Sequence, residues 1–104
     1  MGLTAQQEED LLVILFNNFK RIFNNPNLKI FIRQLSNNQT FYAAPYLAAI
    51  KTGQANFCTN NTGAFLVTSD DCTVQGDGAH FDEGGYRQLA TNMLTVFNAN
   101  ILKP

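Results

Sequence analysis

The sequence is poor in charge and in the residues from which metal centres and disulfide frameworks are built. Of its 104 residues only 14% are Asp, Glu, Lys or Arg, and there are two cysteines and one histidine. Lysine and arginine do not cluster, and the formal net charge is -1. Because nucleic acid and anionic membrane surfaces require a basic footprint, we expect neither as a partner. The longest strongly apolar run, residues 11–16, is too short to cross a bilayer.

The cysteines give no further guide to the chemistry. Cys58 and Cys72 form neither a CxxC pair nor, together with His80, a metal-binding set. A disulfide between them stays open at this point, and so does the compartment in which the protein works.

What the sequence does contain is enough apolar residue, 45% of the chain, for one domain with one modest core. A capping box at Thr4 and Gln7 predicts the start of a first helix, and residues 24–26 (Asn-Asn-Pro) predict its end. Apolar residues recur along it at helical spacing, with others beside them, so we expect it to be covered on more than one side. The main face comprises Leu12, Leu15, Phe16, Phe19 and Phe23.

Two short apolar runs, residues 28–35 and 64–68, are typical of strands buried on both faces of a parallel sheet. Between them, Pro45 suits the first turn of a second helix. Asp82 predicts the N-cap of a third helix. The order helix, strand, helix, strand, helix, with long connections, predicts parallel strands joined by right-handed crossovers.

Two parallel strands among three helices make a poor sheet by themselves, because their open edges leave backbone groups unpaired. We therefore interpret residues 1–104 as a single partial domain that belongs to a larger α/β domain. The loops that follow the strands, residues 36–42 and 69–82, are expected to leave the same edge of the sheet. That is the edge where α/β sheets bind their ligands.

Asp77 and His80 stand three residues apart in the second of these loops, directly before the third helix. Histidine gains and loses a proton near neutral pH, and an aspartate can fix its tautomer and stabilise the imidazolium. The spacing alone is a weak signal, because about one sequence in twenty of this composition would show it by chance. The alternative is a solvated surface histidine. The position of Asp77 and His80 after a buried strand, and the residues that follow them, favour a catalytic pair.

Residues 77–90, which read DGAHFDEGGYRQLA, resemble the C-terminal block of SGNH hydrolases. The greatest similarity is to the carbohydrate esterases that include sialic acid O-acetylesterases and acetylxylan esterases. Residues 30–35, 50–54 and 65–68 resemble upstream segments of that family less specifically. The resemblance extends over most of residues 10–98, about the last half of such an esterase domain. It implies a three-layer α/β/α flavodoxin-like fold, here incomplete, with about two parallel strands and three helices.

The same resemblance implies an activity, the hydrolysis of acetyl esters on sugars such as sialic acid or xylan. His80 would be the general base and Asp77 its orienting acid, with no metal or organic cofactor. The family's nucleophilic serine lies in a Gly-Gln-Ser or Gly-Asp-Ser block, and neither Ser36 nor Ser69 stands in one. We therefore expect the chain to be inactive alone, and to need a missing N-terminal half or a second chain. The alternative is a non-catalytic α/β interaction module or degenerate remnant that binds a partner through its sheet edge.

Other polar residues near these loops have simpler interpretations. Asp82 is predicted as a helix cap, and Asp70 and Asp71 as solvated loop residues. Gln34, at the end of the first strand, could face the site or make a structural hydrogen bond. Arg87 is interpreted as a solvated residue of the third helix.

Overall fold

The computed structural model describes residues 2–102, and it is an α/β domain. Three helices alternate with two strands, as the sequence predicts. The elements are α1 (Ala5–Ile22), β1 (Ile30–Arg33), α2 (Ala44–Asn60), β2 (Ala64–Val67), α3 (Glu83–Phe97) and a π-helical turn (Asn98–Leu102). Among these described residues, no helix is both long and apolar enough to span a membrane.

The two strands pair in parallel, with Ile30 opposite Ala64 and Arg33 opposite Val67. Because the strands end in register, the loops after β1 and β2 leave the same edge of the sheet, which confirms the expected arrangement. Ile30 N–H donates to Gly63 O at 2.8 Å, so alternate N–H groups of β1 point to its outer edge. No other strand of residues 2–102 lies along that edge.

The ends of α1 follow the predicted signals. Thr4 Oγ1 accepts a hydrogen bond from the N–H of Gln7, while Gln7 Oε1 accepts one from the N–H of Thr4, at 3.1 and 2.9 Å. This reciprocal pair satisfies two backbone donors that the first turn of a helix leaves free. At the other end, Asn24 adopts a left-handed conformation with φ of 49°, which turns the chain away from the helix axis.

The core lies between α1, α2 and one face of the sheet. Phe16 and Phe57 are almost completely buried and meet edge to face, with ring centroids 5.8 Å apart. Gly53 lets the helices approach closely, because a Cβ there would come within 2.6 Å of the carbonyl oxygen of Ala5. The apolar faces of α1 and α2 therefore meet through Phe16 and Phe57.

Two predictions about burial are wrong. Leu15 and Phe23 of the expected α1 core face are 43% and 64% exposed, and α1 is not covered on a second side, since Leu11 and Ile14 are also exposed. All four residues of β1 are half-buried rather than buried on both faces. For β1 the physical reason is that no other strand of residues 2–102 pairs with its outer edge, and for α1 it is that no described element packs over these side chains.

Part of the apolar surface of α3 is exposed as well. Met93 and Leu94 are exposed, and with Phe31 and Phe97 they line an apolar groove beside β1. The ring centroids of Phe31 and Phe97 are 6.0 Å apart, so α3 packs on the second face of the sheet through few side chains. Cys58 and Cys72 are both free thiols, so the disulfide left open by the sequence is not present.

Candidate functional site

Asp77 and His80 form a hydrogen-bonded pair at the carboxyl edge of the sheet. His80 Nδ1 lies 2.6 Å from Asp77 Oδ2. The other carboxylate oxygen, Oδ1, accepts the backbone N–H groups of Ala79 and His80 at 2.9 and 3.0 Å. Both side chains are accessible, 68% exposed for His80 and 45% for Asp77. The aspartate is thus held by the turn that presents the histidine.

The electrostatics of the pair fix the tautomer of the ring. The hydrogen bond from His80, together with the backbone N–H groups of His80 and Ala79, lowers the pKa of Asp77 from 3.8 to about 2. An ionised carboxylate can only accept, so His80 Nδ1 carries the proton that it donates. Nε2 is then the ring nitrogen with a free lone pair, as a general base requires.

Local sequence explains why the loop adopts this shape. Gly78 has φ of +71°, a left-handed conformation that residues other than glycine rarely adopt. Its carbonyl oxygen accepts the N–H of Phe41 at 3.0 Å, which joins the loop after β2 to the loop after β1. Gln75 N–H donates to His80 O at 2.8 Å and closes the turn.

Asp82 is the N-cap of α3, as predicted, and it secures the far end of the loop. Its Oδ1 accepts the N–H of Gly85 at 2.7 Å and a hydrogen bond from the Thr73 hydroxyl. These hydrogen bonds from Thr73 and Gly85 lower the pKa of Asp82. The cap therefore fixes the start of α3 immediately after the Asp77/His80 turn.

Gln39 connects the two loops from inside. This side chain is only 3% exposed. Its Oε1 accepts the N–H of Ser36 at 2.9 Å and a guanidinium N–H of Arg33 at 3.0 Å, and its Nε2 donates to Ala79 O at 2.8 Å. Since Ser36 offers a donor and Ala79 an acceptor, the amide can take only this orientation. One glutamine thus joins the end of β1 to the residue before His80.

The pair opens onto a cleft of about 540 Å³, a volume that suits a small-molecule ligand. Its lining combines aromatic rings with a few polar groups: Arg33, Gln39, Phe41, Tyr42, Asp77, Ala79, His80, Phe81, Tyr86 and Leu89. Phe41 is 70% exposed and Tyr86 52%, so both present ring surface to solvent. The cleft therefore offers apolar faces next to a potential base.

None of the described residues that line this cleft is a serine, threonine or cysteine. Ser36 and Ser69 are fully buried, with Ser36 Oγ accepting from Asn38 N–H and Ser69 Oγ donating to Gln34 O. Burial and the nearby Asp71 raise the pKa of the Cys72 thiol, which also is buried. These three side chains have structural surroundings and are not placed to act as a nucleophile for His80.

Asp70 and Asp71 do more than solvate their loop. Asp70 Oδ1 accepts from Lys51 Nζ and from Asn37 N–H, each at 2.7 Å. Burial opposes ionisation, but these hydrogen bonds outweigh it and lower the pKa of Asp70. Asp71 accepts from the Asn92 side-chain amide at 2.8 Å, so that the loop is tied to α2 and α3.

Two other residues have structural or surface roles. The Gln34 side chain donates to Lys51 O at 2.9 Å and lies outside the cleft, which decides between its two interpretations. Arg87 pairs with Glu83 on the exposed side of α3, in agreement with the solvated role predicted for it.

Sequence reasoning missed most of the cleft wall. Arg33 and Gln39 belong to β1 and to the loop expected at this edge, but no motif marks them. Phe41 and Tyr42 follow in the same loop. Two adjacent aromatic residues in a polar loop are the one sequence signal that could have indicated a binding surface there. Tyr86, in the first turn of α3, also lines the cleft.

Comparison of the chain with protein-family models, with curated proteins and with solved structures finds no match. The candidate site is therefore assessed on its geometry.

Proposed function

We propose that this chain supplies the histidine–aspartate base of a carbohydrate O-acetylesterase, a hydrolase of acetyl esters on sugars. The observation that carries the proposal is the 2.6 Å contact between His80 Nδ1 and Asp77 Oδ2 at the mouth of an aromatic-lined cleft. A base, its orienting carboxylate and a ligand-sized cleft are three of the components that ester hydrolysis needs. The sequence resemblance of residues 77–90 to SGNH carbohydrate esterases gives independent support.

In this mechanism a serine from outside residues 2–102 adds to the acetyl carbonyl carbon while its hydroxyl proton passes to His80 Nε2. The sugar oxygen then leaves with that proton, and an acetyl-enzyme ester remains. Water hydrolyses this ester through the same base and regenerates the serine. Asp77 keeps the proton of the ring on Nδ1 and stabilises the imidazolium throughout.

The SGNH fold, with this chain as its C-terminal half, is part of the same proposal. Its support is the parallel pairing of β1 with β2, the unpaired outer edge of β1, and the exposed apolar groove beside β1. A further parallel strand and its helices would cover the edge and the groove. The missing part would also carry the nucleophile and the oxyanion-hole donors.

The experiment is an acetate-release assay on acetylated xylan and on O-acetyl sialic acid. It uses the protein made from the full reading frame, including any coding sequence upstream of Met1. We expect His80→Ala to reduce the rate of acetate release at least ~10⁴-fold, because the general base is lost. Asp77→Asn should reduce it by about 10³–10⁴-fold, because the residue that fixes the tautomer of His80 is lost. Arg87→Ala, on the far side of α3, is the matched control and should retain the rate.

Equal rates for His80→Ala and for a parent protein that has its serine, on an upstream segment or on a second chain, would contradict the proposal. If translation begins at Met1, the 104-residue chain should release acetate no faster than its His80→Ala variant. Mixing it with the chain that carries the serine should then restore the rate.

A second candidate function is that of a non-catalytic interaction module. The free outer edge of β1 favours it, because an unpaired edge can bind a strand of a partner chain. The acetate-release assay separates the two, because only the esterase would lose acetate release in His80→Ala. An interaction module would bind its partner equally well after this substitution.

A further inference from the structure

Arg33 is the one basic side chain of the cleft, apart from His80, and no acidic group among the described residues forms an ion pair with it. It ends β1 on the face of the sheet that it shares with Phe31, and its guanidinium carbon lies 5.0 Å from the ring centroid of Phe81. The side chain is half-buried and lines the same cleft as His80. A cation over an aromatic face is held there, not free in solvent.

The guanidinium is oriented by a neutral partner. One of its N–H groups donates to Gln39 Oε1 at 3.0 Å, and the Gln39 amide is itself fixed by Ser36 and Ala79. A guanidinium carries five N–H donors, so most of its hydrogen-bonding capacity is unused by the described residues. Gln39 thus aims the group without neutralising it.

No carboxylate among residues 2–102 pairs with Arg33. The ion pairs join Lys51 to Asp70 and Arg87 to Glu83, and Asp77 forms its hydrogen bond with His80. Asp77 lines the same cleft, but both of its oxygens already accept hydrogen bonds from the turn and from His80. A half-buried cation that lacks a counter-ion is poised for an anionic ligand.

From these contacts we infer that Arg33 is an anion-recognition residue and that the ligand of the cleft carries a carboxylate, as an acidic sugar does. The planar fork of a guanidinium matches the two oxygens of a carboxylate in bidentate geometry. Exposed rings of Phe41 and Tyr86 provide apolar surface for the C–H faces of a sugar ring. The inference rests on the proposed function for the sugar, and on Arg33 alone for the charge.

The test is a ¹H–¹⁵N NMR titration of the chain with D-glucuronate and, as the neutral counterpart, with D-glucose. We expect glucuronate to shift the amide signals of Arg33, Gln39, Ala79 and His80, and to bind at least ten-fold more tightly than glucose. Raising the salt concentration should weaken glucuronate binding and leave glucose binding unaffected.

Three variants make the result specific. Arg33→Gln removes the charge and should weaken glucuronate binding about ten-fold or more, whereas Arg33→Lys keeps the charge without the fork and should fall in between. Arg87→Gln removes the same charge outside the cleft and should bind glucuronate like the parent chain. If Arg33→Gln loses its native spectrum, the comparison of Arg33→Lys with Arg87→Gln still decides.

Equal binding of glucose and glucuronate, or unchanged binding by both Arg33 variants, would overturn the inference. Its failure is distinguishable from that of the proposed function, because the titration involves no hydrolysis. If glucuronate binds through Arg33 but His80→Ala does not change acetate release, the anion site is supported and the proposed esterase function is contradicted.

Discussion

The carboxyl edge of the sheet and the side beyond β1 are built in opposite ways. At the carboxyl edge, Gln39 and Asp70 form hydrogen bonds with backbone groups of the two loops, and Asp82 does so with Gly85 at the start of α3. No buried side-chain polar atom of residues 2–102 lacks a hydrogen-bond partner. Beyond β1, in contrast, lies what we call the open flank. It consists of the outer edge of β1 and the groove residues Phe31, Met93, Leu94 and Phe97.

This difference shows which parts of the structure the local sequence is sufficient to specify. Polar contacts within and between two loops can specify the Asp77/His80 turn, because each donor and acceptor lies in this chain. An apolar helix face is specified only by what covers it. The open flank therefore has sequence features of a core and the exposure of a surface.

The largest expected effect on stability is at Gly85, where α3 meets the loop. A Cβ on Gly85 would collide with the carbonyl oxygen of Thr73, so Gly85→Ala should lower the free energy of unfolding by about 3 kcal/mol. Gly76 is the matched control in the same loop, since nothing lies within 4 Å of its Cβ position. Gly76→Ala should stay within ~1 kcal/mol in urea unfolding. Equal losses in both variants would mean that the loop is not rigidly built.

Asp70 gives the next effect at the same edge. Asp70→Ala removes the partner of Lys51, whose side chain is only 13% exposed, and frees the N–H of Asn37. We expect a loss of about 1–2 kcal/mol in the free energy of unfolding. Glu83→Ala breaks an ion pair whose two side chains are about 80% exposed and should cost no more than a few tenths of a kcal/mol. A loss at Asp70 as small as that at Glu83 would mean that the contacts of Asp70 with Lys51 and Asn37 do not hold this edge together.

Substitutions on the open flank should change association more than stability. Leu94→Ser and Met93→Ser alter side chains that are 58% and 41% exposed, so each should cost less than about 1 kcal/mol. Self-association, measured by analytical ultracentrifugation, should decrease because apolar surface is removed. Val67→Ser, in the fully buried end of β2, is the control and should destabilise severely. A strongly destabilised Leu94→Ser would mean that the flank is a finished core.

The smallest effect is a pH dependence of the Asp77/His80 turn. The hydrogen bonds from His80 and from the two backbone N–H groups lower the pKa of Asp77 to about 2. A lowered carboxyl pKa contributes stability that is present above the ordinary value of 3.8 and is lost as the pH falls towards 2. In a ¹³C carboxyl titration, His80→Ala should move the midpoint up towards 3.8, and Arg87→Ala should leave it near 2. A midpoint near 3.8 in the parent chain would show that the pair is not formed.

Much of the fold could be predicted from the sequence because its signals are local. The Thr4/Gln7 capping box, the Asp82 cap and the two parallel strands are present as expected. Burial of α1 and β1 was overestimated, since periodicity identifies an apolar face but not the element that covers it. Leu15 and Phe23 illustrate this, because they continue the stripe of Phe16 yet face solvent.

The candidate site divides in a similar way. The contact between Asp77 and His80 follows from their separation in one tight turn, whereas their catalytic role stays a prediction. Arg33, Gln39 and Phe41 reach the cleft through pairings between loops that are far apart in sequence, and no pattern in one segment can predict such contacts. The hydrogen bond between Gln39 and Ala79, across forty residues, is the clearest case.

In the structure, Asp77 holds the ring of His80 with its proton on Nδ1 and leaves Nε2 unprotonated. A long-range ¹H–¹⁵N spectrum of the imidazole tests it directly, because the sequence has one histidine and its signals cannot be confused. We predict a protonated Nδ1 and an unprotonated Nε2 in the neutral ring, with this preference lost in Asp77→Ala. A neutral ring protonated on Nε2, or a spectrum that Asp77→Ala leaves unchanged, would contradict the account.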